Sequence, residues 1–288
     1  MEYLLFPGCK VLASDPYFEH STKLVLEKLG VSLIEEKNFC CCGPTLVSSI
    51  DQKSGIALNA RNIVLGEEKE TNLFTLCSWC FKTLDEANTK LKENNQLKDS
   101  VNLILKELGK EYNGTIEIKN FLQVLLEGIG LEKIEKHLKK PLDNLKVGAF
   151  MGCHLRGGPK DIFDVNFISE LDKLVNITKA QNIGFKEKFH CCGGLVSSLT
   201  EVETQLNYKI IQRLKELNLD ALVVMCPYCY ERFNVALNSI KQNESEIIPL
   251  SIIYLSDLFG LAMGLNPREL ALDQRANISE NIMRKIDE

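Results

Sequence analysis

The chain has 288 residues, of which 45% are hydrophobic and 25% charged, with a formal net charge of −5 at pH 7. That length allows two domains, each with its own core, and the composition is that of an ordinary globular protein. An acidic balance with no basic run gives no footing for nucleic-acid binding, and the acidic opening with its short apolar run does not read as a secretory signal.

Each half of the chain starts with a short apolar run that stops at a cysteine. Tyr3 to Phe6 and Val147 to Phe150 read as buried strands leading into Pro7-Gly8-Cys9 and Met151-Gly152-Cys153. Helical periodicity follows over Pro16 to Leu29 and Asp161 to Leu174. In the first half a second strand, Val31 to Ile34, precedes Cys41-Cys42-Gly43. Further helices are expected over Gly55 to Gly66 and Val202 to Leu217, and a third strand in each half, Leu73 to Leu76 and Ala221 to Met225, runs into a CxxC. Alternation of strand and helix implies parallel sheets with helices on their faces, with sites beyond the carboxyl ends of the strands.

Asn88 to Leu145 has no evident counterpart in the second half. Its amphipathic candidates are Val101 to Leu108 and Phe121 to Ile129, with a turn at Asn113-Gly114. The expected organisation is therefore a first α/β domain over 1–87, a helical insertion over 88–145, and a second domain with a C-terminal tail over 146–288. The apolar stretch Ile247 to Leu265 approaches the length of a membrane span, but Pro249, Ser251, Ser256 and Asp257 interrupt it. It reads as a buried strand and helix. After Pro249 a tail is expected to wrap back over the core or meet a partner.

Ten of the eleven cysteines form one five-cysteine figure written twice. The first copy is Cys9, Cys41-Cys42 and Cys77-Ser78-Trp79-Cys80; the second is Cys153, Cys191-Cys192 and Cys226-Pro227-Tyr228-Cys229. Corresponding positions are offset by 144 (153 minus 9), 150 (192 minus 42) and 149 (226 minus 77). Leu46-Val47-Ser48-Ser49 recurs as Leu195-Val196-Ser197-Ser198. In a reducing compartment such sulfur binds metal or does redox chemistry more readily than it forms structural disulfides.

Taken alone, Cys226-Pro227-Tyr228-Cys229 looks like a glutaredoxin dithiol, yet what repeats is the spacing and the company of three further cysteines. Four thiolates close a tetrahedral zinc site, and each half supplies five. A multi-iron cluster offers several metal corners and accommodates an adjacent pair better than one zinc does, although zinc in one half stays open. Unligated burial is the reading for Cys40, which lacks a repeat mate; Gly43 and Gly193 mark Cys41-Cys42 as the counterpart of Cys191-Cys192.

This paired figure, with the opening Tyr3-Leu4-Leu5-Phe6-Pro7-Gly8-Cys9 and with Gly152-Cys153-His154-Leu155, resembles the CCG-domain iron–sulfur proteins, above all the B subunits of heterodisulfide reductase from methanogenic archaea. The likeness runs nearly end to end, through Ile129-Gly130-Leu131-Glu132-Lys133-Ile134, Lys140-Pro141-Leu142 and Leu258-Phe259-Gly260-Leu261-Ala262. It implies an α/β fold of two pseudo-twofold-related Rossmann-like CCG domains. Each would hold a non-cubane 4Fe-4S cluster on its five cysteines (Cys9, Cys41, Cys42, Cys77, Cys80; Cys153, Cys191, Cys192, Cys226, Cys229), with the two clusters facing each other. The alternative is one 4Fe-4S cluster plus zinc.

The activity implied is reduction of the coenzyme M–coenzyme B mixed disulfide to two thiols in the cytoplasm. Splitting a disulfide takes two electrons, and one delivered alone would leave a thiyl radical. The implied partners are the small iron–sulfur C subunit and the flavin-containing A subunit of heterodisulfide reductase, in some cases within a larger hydrogenase or formate dehydrogenase complex. The chain has no GxGxxG, so flavin or nicotinamide would sit on another polypeptide. His154 and His190 could bond a sulfur or supply a proton, and Lys10, Arg156 and Lys188 could attract the anionic groups of the coenzymes. For each, packing or surface solvation is the plain alternative. The rival functions are an electron-relay component of a lactate- or glycolate-type dehydrogenase and a zinc-stabilised scaffold.

Overall fold

The computed structural model describes residues 1–43, 45–155, 169–194, 200–243 and 248–287. In chain order the first stretch holds β1 (Glu2–Phe6), α1 (Cys9–Ser14), α2 (Pro16–Lys28), β2 (Ser32–Glu35), α3 (Thr45–Ile50), α4 (Gln52–Glu67), β3 (Leu73–Thr75), α5 (Ser78–Glu93), α6 (Asn95–Lys106), β4 (Ile118–Asn120) and α7 (Phe121–Gln123). A π-helical turn (Val124–Ile129) and α8 (Leu131–Glu135) lead to β5 (Lys146–Phe150), α9 (Glu170–Ile177), β6 (Gln181–Asn182), α10 (Thr200–Glu216), β7 (Ala221–Val224), α11 (Pro227–Asn243), β8 (Ser251–Tyr254), α12 (Leu255–Ala262) and α13 (Glu280–Asp287).

The strands make two four-stranded parallel sheets, ordered β2-β1-β3-β4 and β6-β5-β7-β8. The duplication read in the cysteines is therefore a duplication of topology. Apart from Glu2 and Lys146 at their starts, the central strands are buried, with all of Ala221–Val224 at 0% exposure, because helices cover both faces of a parallel sheet. Contacts divide the chain into two compact units, residues 1–19 with 30–128, and residues 20–29 with 129–288. Within the second unit a His20 ring nitrogen lies 2.8 Å from the Glu269 carbonyl.

The segment 88–145 is mostly helical, as its periodicity suggests, but it also supplies β4. This three-residue strand completes the first sheet and is followed by α7, just as β8 completes the second and is followed by α12. The expected helix over Phe121 to Ile129 is one α-turn and a π-turn. The helix expected over Asp161 to Leu174 falls largely outside the described residues, and α9 carries only its end. Ser169 caps α9, its hydroxyl accepting from the Asp172 N–H at 3.1 Å.

The apolar stretch tested for a membrane span is β8 followed by α12, and among the described residues no helix is long and apolar enough to cross a membrane. Asp257, at its centre, is fully buried against Arg275. The guanidinium donates to both carboxylate oxygens at 2.6 and 2.9 Å, and Asp257 also accepts the Tyr254 N–H at 2.8 Å. Beyond this pair the tail returns to the second unit, burying Ile282 and Ile286 and pairing Lys285 with Asp220 at 2.7 Å.

Asp257→Ala removes the carboxylate from a guanidinium that has no route to water, a loss of about 3–5 kcal/mol for a buried pair. The expected outcome is a clearly lower urea midpoint, and an unchanged midpoint would contradict this account of the β8–α12 junction.

Candidate metal centres

The central strands of both sheets pair in one register, with Phe6 opposite Thr75 and Phe150 opposite Val224. Cys9 follows Phe6 by three residues and Cys77 follows Thr75 by two; Cys153 and Cys226 stand at the same steps beyond Phe150 and Val224. Neighbouring strand ends thus deliver the lone cysteine and the CxxC side by side at the carboxyl edge of each sheet.

Glycine makes the close approach possible. Gly8 has φ +80°, and a Cβ placed on it would meet Cys80 Sγ at 3.0 Å; Gly152 has φ +70°, with Cys229 Sγ at 3.5 Å. Cys77 caps α5, its carbonyl accepting the Phe81 N–H at 2.9 Å, and the Cys226 carbonyl accepts the Tyr230 N–H at 3.0 Å with Pro227 opening α11. Both CxxC motifs therefore begin helices, as a dithiol enzyme's would. The positive end of each helix favours thiolate. The other three thiols set these motifs apart from a dithiol site.

None of the eleven cysteines is in a disulfide. In the first half Cys41 Sγ lies 3.8 Å from Cys9 Sγ, and Cys42 Sγ lies 3.4 Å from Cys80 Sγ, which also bonds Cys77. The second half repeats the scheme, with Cys153 bonded to Cys191, and Cys229 to Cys192 and Cys226. The inner sulfurs, Cys42, Cys77, Cys80, Cys192, Cys226 and Cys229, are buried; Cys9, Cys41 and Cys191 are exposed and Cys153 is half-buried. Each cradle is closed on the sheet side and open on the side of the lone cysteine.

Ionisation in such a cradle is resisted by its own members. Hydrogen bonding to Cys42 and Cys77, with burial, holds the Cys80 thiol well above its usual range, and contacts with Cys192 and Cys226 do the same to Cys229. Cys191 and burial raise Cys153, and burial pushes Cys41 up to about 11 against a lowering hydrogen bond from the Gly43 N–H. Cys42 is lowered by its hydrogen bond with Cys80. Five sulfurs that cannot all be anionic on their own fit a polynuclear cation, whose charge offsets their repulsion. Among the described residues no three Cys, His, Asp or Glu side chains are already disposed about a single metal ion.

Cys40 stands apart from the cradle. Its N–H, S–H and C=O all bond the Asn62 side chain, at 3.0, 3.3 and 3.1 Å. His154 Nδ1 lies 3.4 Å from Cys153 Sγ, His190 is exposed, and Lys10 is half-exposed on α1. Arg156 and the repeated Leu195-Val196-Ser197-Ser198 lie outside the described residues.

Lys188 is not a surface cation. It is 3% exposed, its ammonium pairs with Asp172 at 3.1 Å, and its carbonyl accepts the Met151 and Gly152 N–H groups at 2.9 and 3.2 Å. Its charge is committed to Asp172, and its backbone supports the turn that carries Cys153.

Two buried asparagines escape the motif pattern of the sequence. Asn59 donates to the Cys42 carbonyl at 2.8 Å and Asn207 to the Cys192 carbonyl at 2.9 Å. Their offset of 148 (207 minus 59) is within two residues of the offsets of the cysteine pair (150) and the CxxC (149) and is the one signal that marks them.

Comparison with known proteins agrees with this geometry. The model of the CCG family, described as a cysteine-rich domain, matches residues 3–85 and 147–234, one match in each half. The B subunit of the ferredoxin:CoB-CoM heterodisulfide reductase of Methanosarcina mazei is 32% identical over 99% of this chain and 96% of its own. The 8-methylmenaquinol:fumarate reductase membrane anchor subunit of Wolinella succinogenes is 28% identical over 94% of this chain and 95% of its own. A crystal structure of a hypothetical protein from Helicobacter pylori shares the fold, with a TM-score of 0.75 at 21% identity; it covers 94% of this chain, which spans 51% of that one. The chain belongs to the CCG cysteine-rich-domain family, the family of the heterodisulfide reductase B subunits. Those B subunits are parts of an oxidoreductase that acts on a disulfide.

Gly8 and Gly30 share a positive φ, +80° and +77°, but a Cβ on Gly30 meets nothing within 4 Å. Gly8→Ala and Gly30→Ala should each cost about 1–3 kcal/mol in backbone strain. Only Gly8→Ala presses on a cradle sulfur, so it alone should lower the metal retained after gel filtration. Equal retention in both variants would remove Gly8 from the site.

Proposed function

We propose that this chain is the catalytic iron–sulfur subunit of a heterodisulfide reductase, with one non-cubane 4Fe-4S cluster per half, and that it reduces the mixed disulfide of coenzyme M and coenzyme B to the two thiols. The observation that carries the reading is the repeated five-thiol cradle with the same sulfur pairings in both halves, in a chain related over its full length to such a B subunit. The ligands would be Cys9, Cys41, Cys42, Cys77 and Cys80 in the first half, and Cys153, Cys191, Cys192, Cys226 and Cys229 in the second.

Reduction consumes two electrons and two protons, breaks the S–S bond and releases two thiols. The clusters, held by these cysteines, would supply the two electrons. The chain's own residues set the rest. Buried Cys42, Cys77 and Cys80 anchor the closed side in the first half, while Cys9 and Cys41 leave the opposite side accessible, and the second half is arranged alike. His154, in contact with Cys153, is placed to hold a proton for a departing thiolate. Half-exposed Lys10 offers positive charge to an anionic coenzyme group. Electrons enter from an iron–sulfur C subunit, itself supplied by a flavin-containing A subunit.

The Wolinella relative supports a second reading, in which the two centres relay electrons within a larger reductase and bind no disulfide. Oxidation of a reduced viologen dye by the anaerobic, cluster-loaded protein separates the two. Turnover that depends on the coenzyme M–coenzyme B disulfide is the expected result; reducible clusters without such turnover would establish the relay. His154→Gln should slow turnover by about a hundredfold, the usual worth of a placed acid, with cluster content unchanged. An undiminished rate would exclude His154 as the proton source.

A further inference from the structure

The cysteine pair of each half is followed by a peptide unit with two partners. In the second half the Cys192–Gly193 peptide accepts from Asn207 Nδ2 at its carbonyl (2.9 Å) and donates from its N–H to Cys191 Sγ at 3.3 Å. In the first half the Cys42 carbonyl accepts from Asn59 Nδ2 at 2.8 Å, and the Gly43 N–H bonds Cys41. Gly43 and Gly193, with φ +59° and +78°, turn the backbone so that the N–H points back at the preceding cysteine's sulfur.

Both asparagines are buried, at 1% and 0% exposure, one on α4 and one on α10. The second amide proton of Asn59 is given to the Gly55 carbonyl at 2.8 Å, which ties the amide to its own helix. An amide bonded at its oxygen is polarised and donates more strongly at its nitrogen. Hydrogen bonds to cluster sulfurs stabilise the more negative, reduced state and raise the potential.

We propose that Asn59 and Asn207 are positioning residues that hold, through the peptide after each cysteine pair, an N–H···S hydrogen bond on the outer sulfur of that pair, and so set the reduction potential of the cluster in their own half. The proposal rests on the reading that each half binds a cluster. It adds one device, built twice, that acts on Cys41 and Cys191, exposed sulfurs at the open side of the two cradles.

The test uses the full chain in five forms: wild type, Asn59→Leu, Asn207→Leu, the double variant Asn59→Leu/Asn207→Leu and the milder Asn59→Ser. In the serine variant the hydroxyl can back-bond the Gly55 carbonyl and releases only the Cys42 carbonyl. A redox titration of the reconstituted proteins, followed by electron paramagnetic resonance, should show one transition displaced to lower potential in each single variant and both in Asn59→Leu/Asn207→Leu. The expected displacement is about a tenfold change in the reduction equilibrium, roughly 59 mV for one electron. Loaded clusters with both potentials unmoved in the serine and leucine variants would overturn the proposal.

Amide hydrogen exchange on the metal-free chain reads the same bond without a cluster. Exchange at Gly43 should accelerate about tenfold in both Asn59 variants, as a lost bond near 1.4 kcal/mol requires, and exchange at Gly193 should not change. Unchanged exchange at Gly43 would overturn the bond itself. A wild type that takes up no cluster, yet shows these exchange differences, would sink the functional reading and leave the hydrogen-bond relay standing.

Discussion

The register of the two central strand pairs is the constraint on which the rest of the molecule depends. With Phe6 opposite Thr75 and Phe150 opposite Val224, the next residues along each strand bring Cys9 beside Cys77 and Cys153 beside Cys226. A slip of one residue would turn every side chain on the strand to the other face and separate the cysteines. The register is secured by burial on both faces of the sheet, so the hydrophobic core and the position of the sulfurs are one specification. Metal chemistry follows from it. Their neighbours hold the innermost thiols, Cys80 and Cys229, well above their usual range, and the cradle becomes favourable when positive charge enters it.

The two cradles share their sulfurs but differ in what supports them. In the first half α4 carries Asn62 one turn beyond Asn59, and Asn62 fastens Cys40 by three hydrogen bonds. Ile210, at the corresponding step on α10, is a buried hydrocarbon. The second half uses a charged support instead, the Lys188–Asp172 pair, with the Lys188 carbonyl holding the turn before Cys153. The duplicated elements share the five cysteines and the Asn-to-carbonyl bond, while the outer supports differ.

Much of this was legible in the sequence because it was written in residues with few alternative uses. Ten cysteines in a repeated figure, with the lone cysteine and the CxxC of each half ending apolar runs, indicated the parallel sheets and the edge at which the sites lie. The membrane question was also answerable, since Asp257 in the middle of an apolar stretch demanded a buried partner, and Arg275 is that partner. What sequence could not show was of two kinds. β4 and β6 are three and two residues long, too short for any periodicity to declare them. Lys188, Asn59 and Asn207 are polar residues whose burial runs against their type. Their partners are fixed only by the fold, as with Asp172, or are backbone carbonyls, which leave no mark in the sequence.

The central claim is that both halves hold a redox cluster. The most direct test is the iron, acid-labile sulfide and zinc content of protein purified without oxygen. The account predicts about eight irons per chain with matching sulfide, as two four-iron clusters require. About four irons with one zinc would make one cradle structural and contradict a two-electron site built from two equal halves.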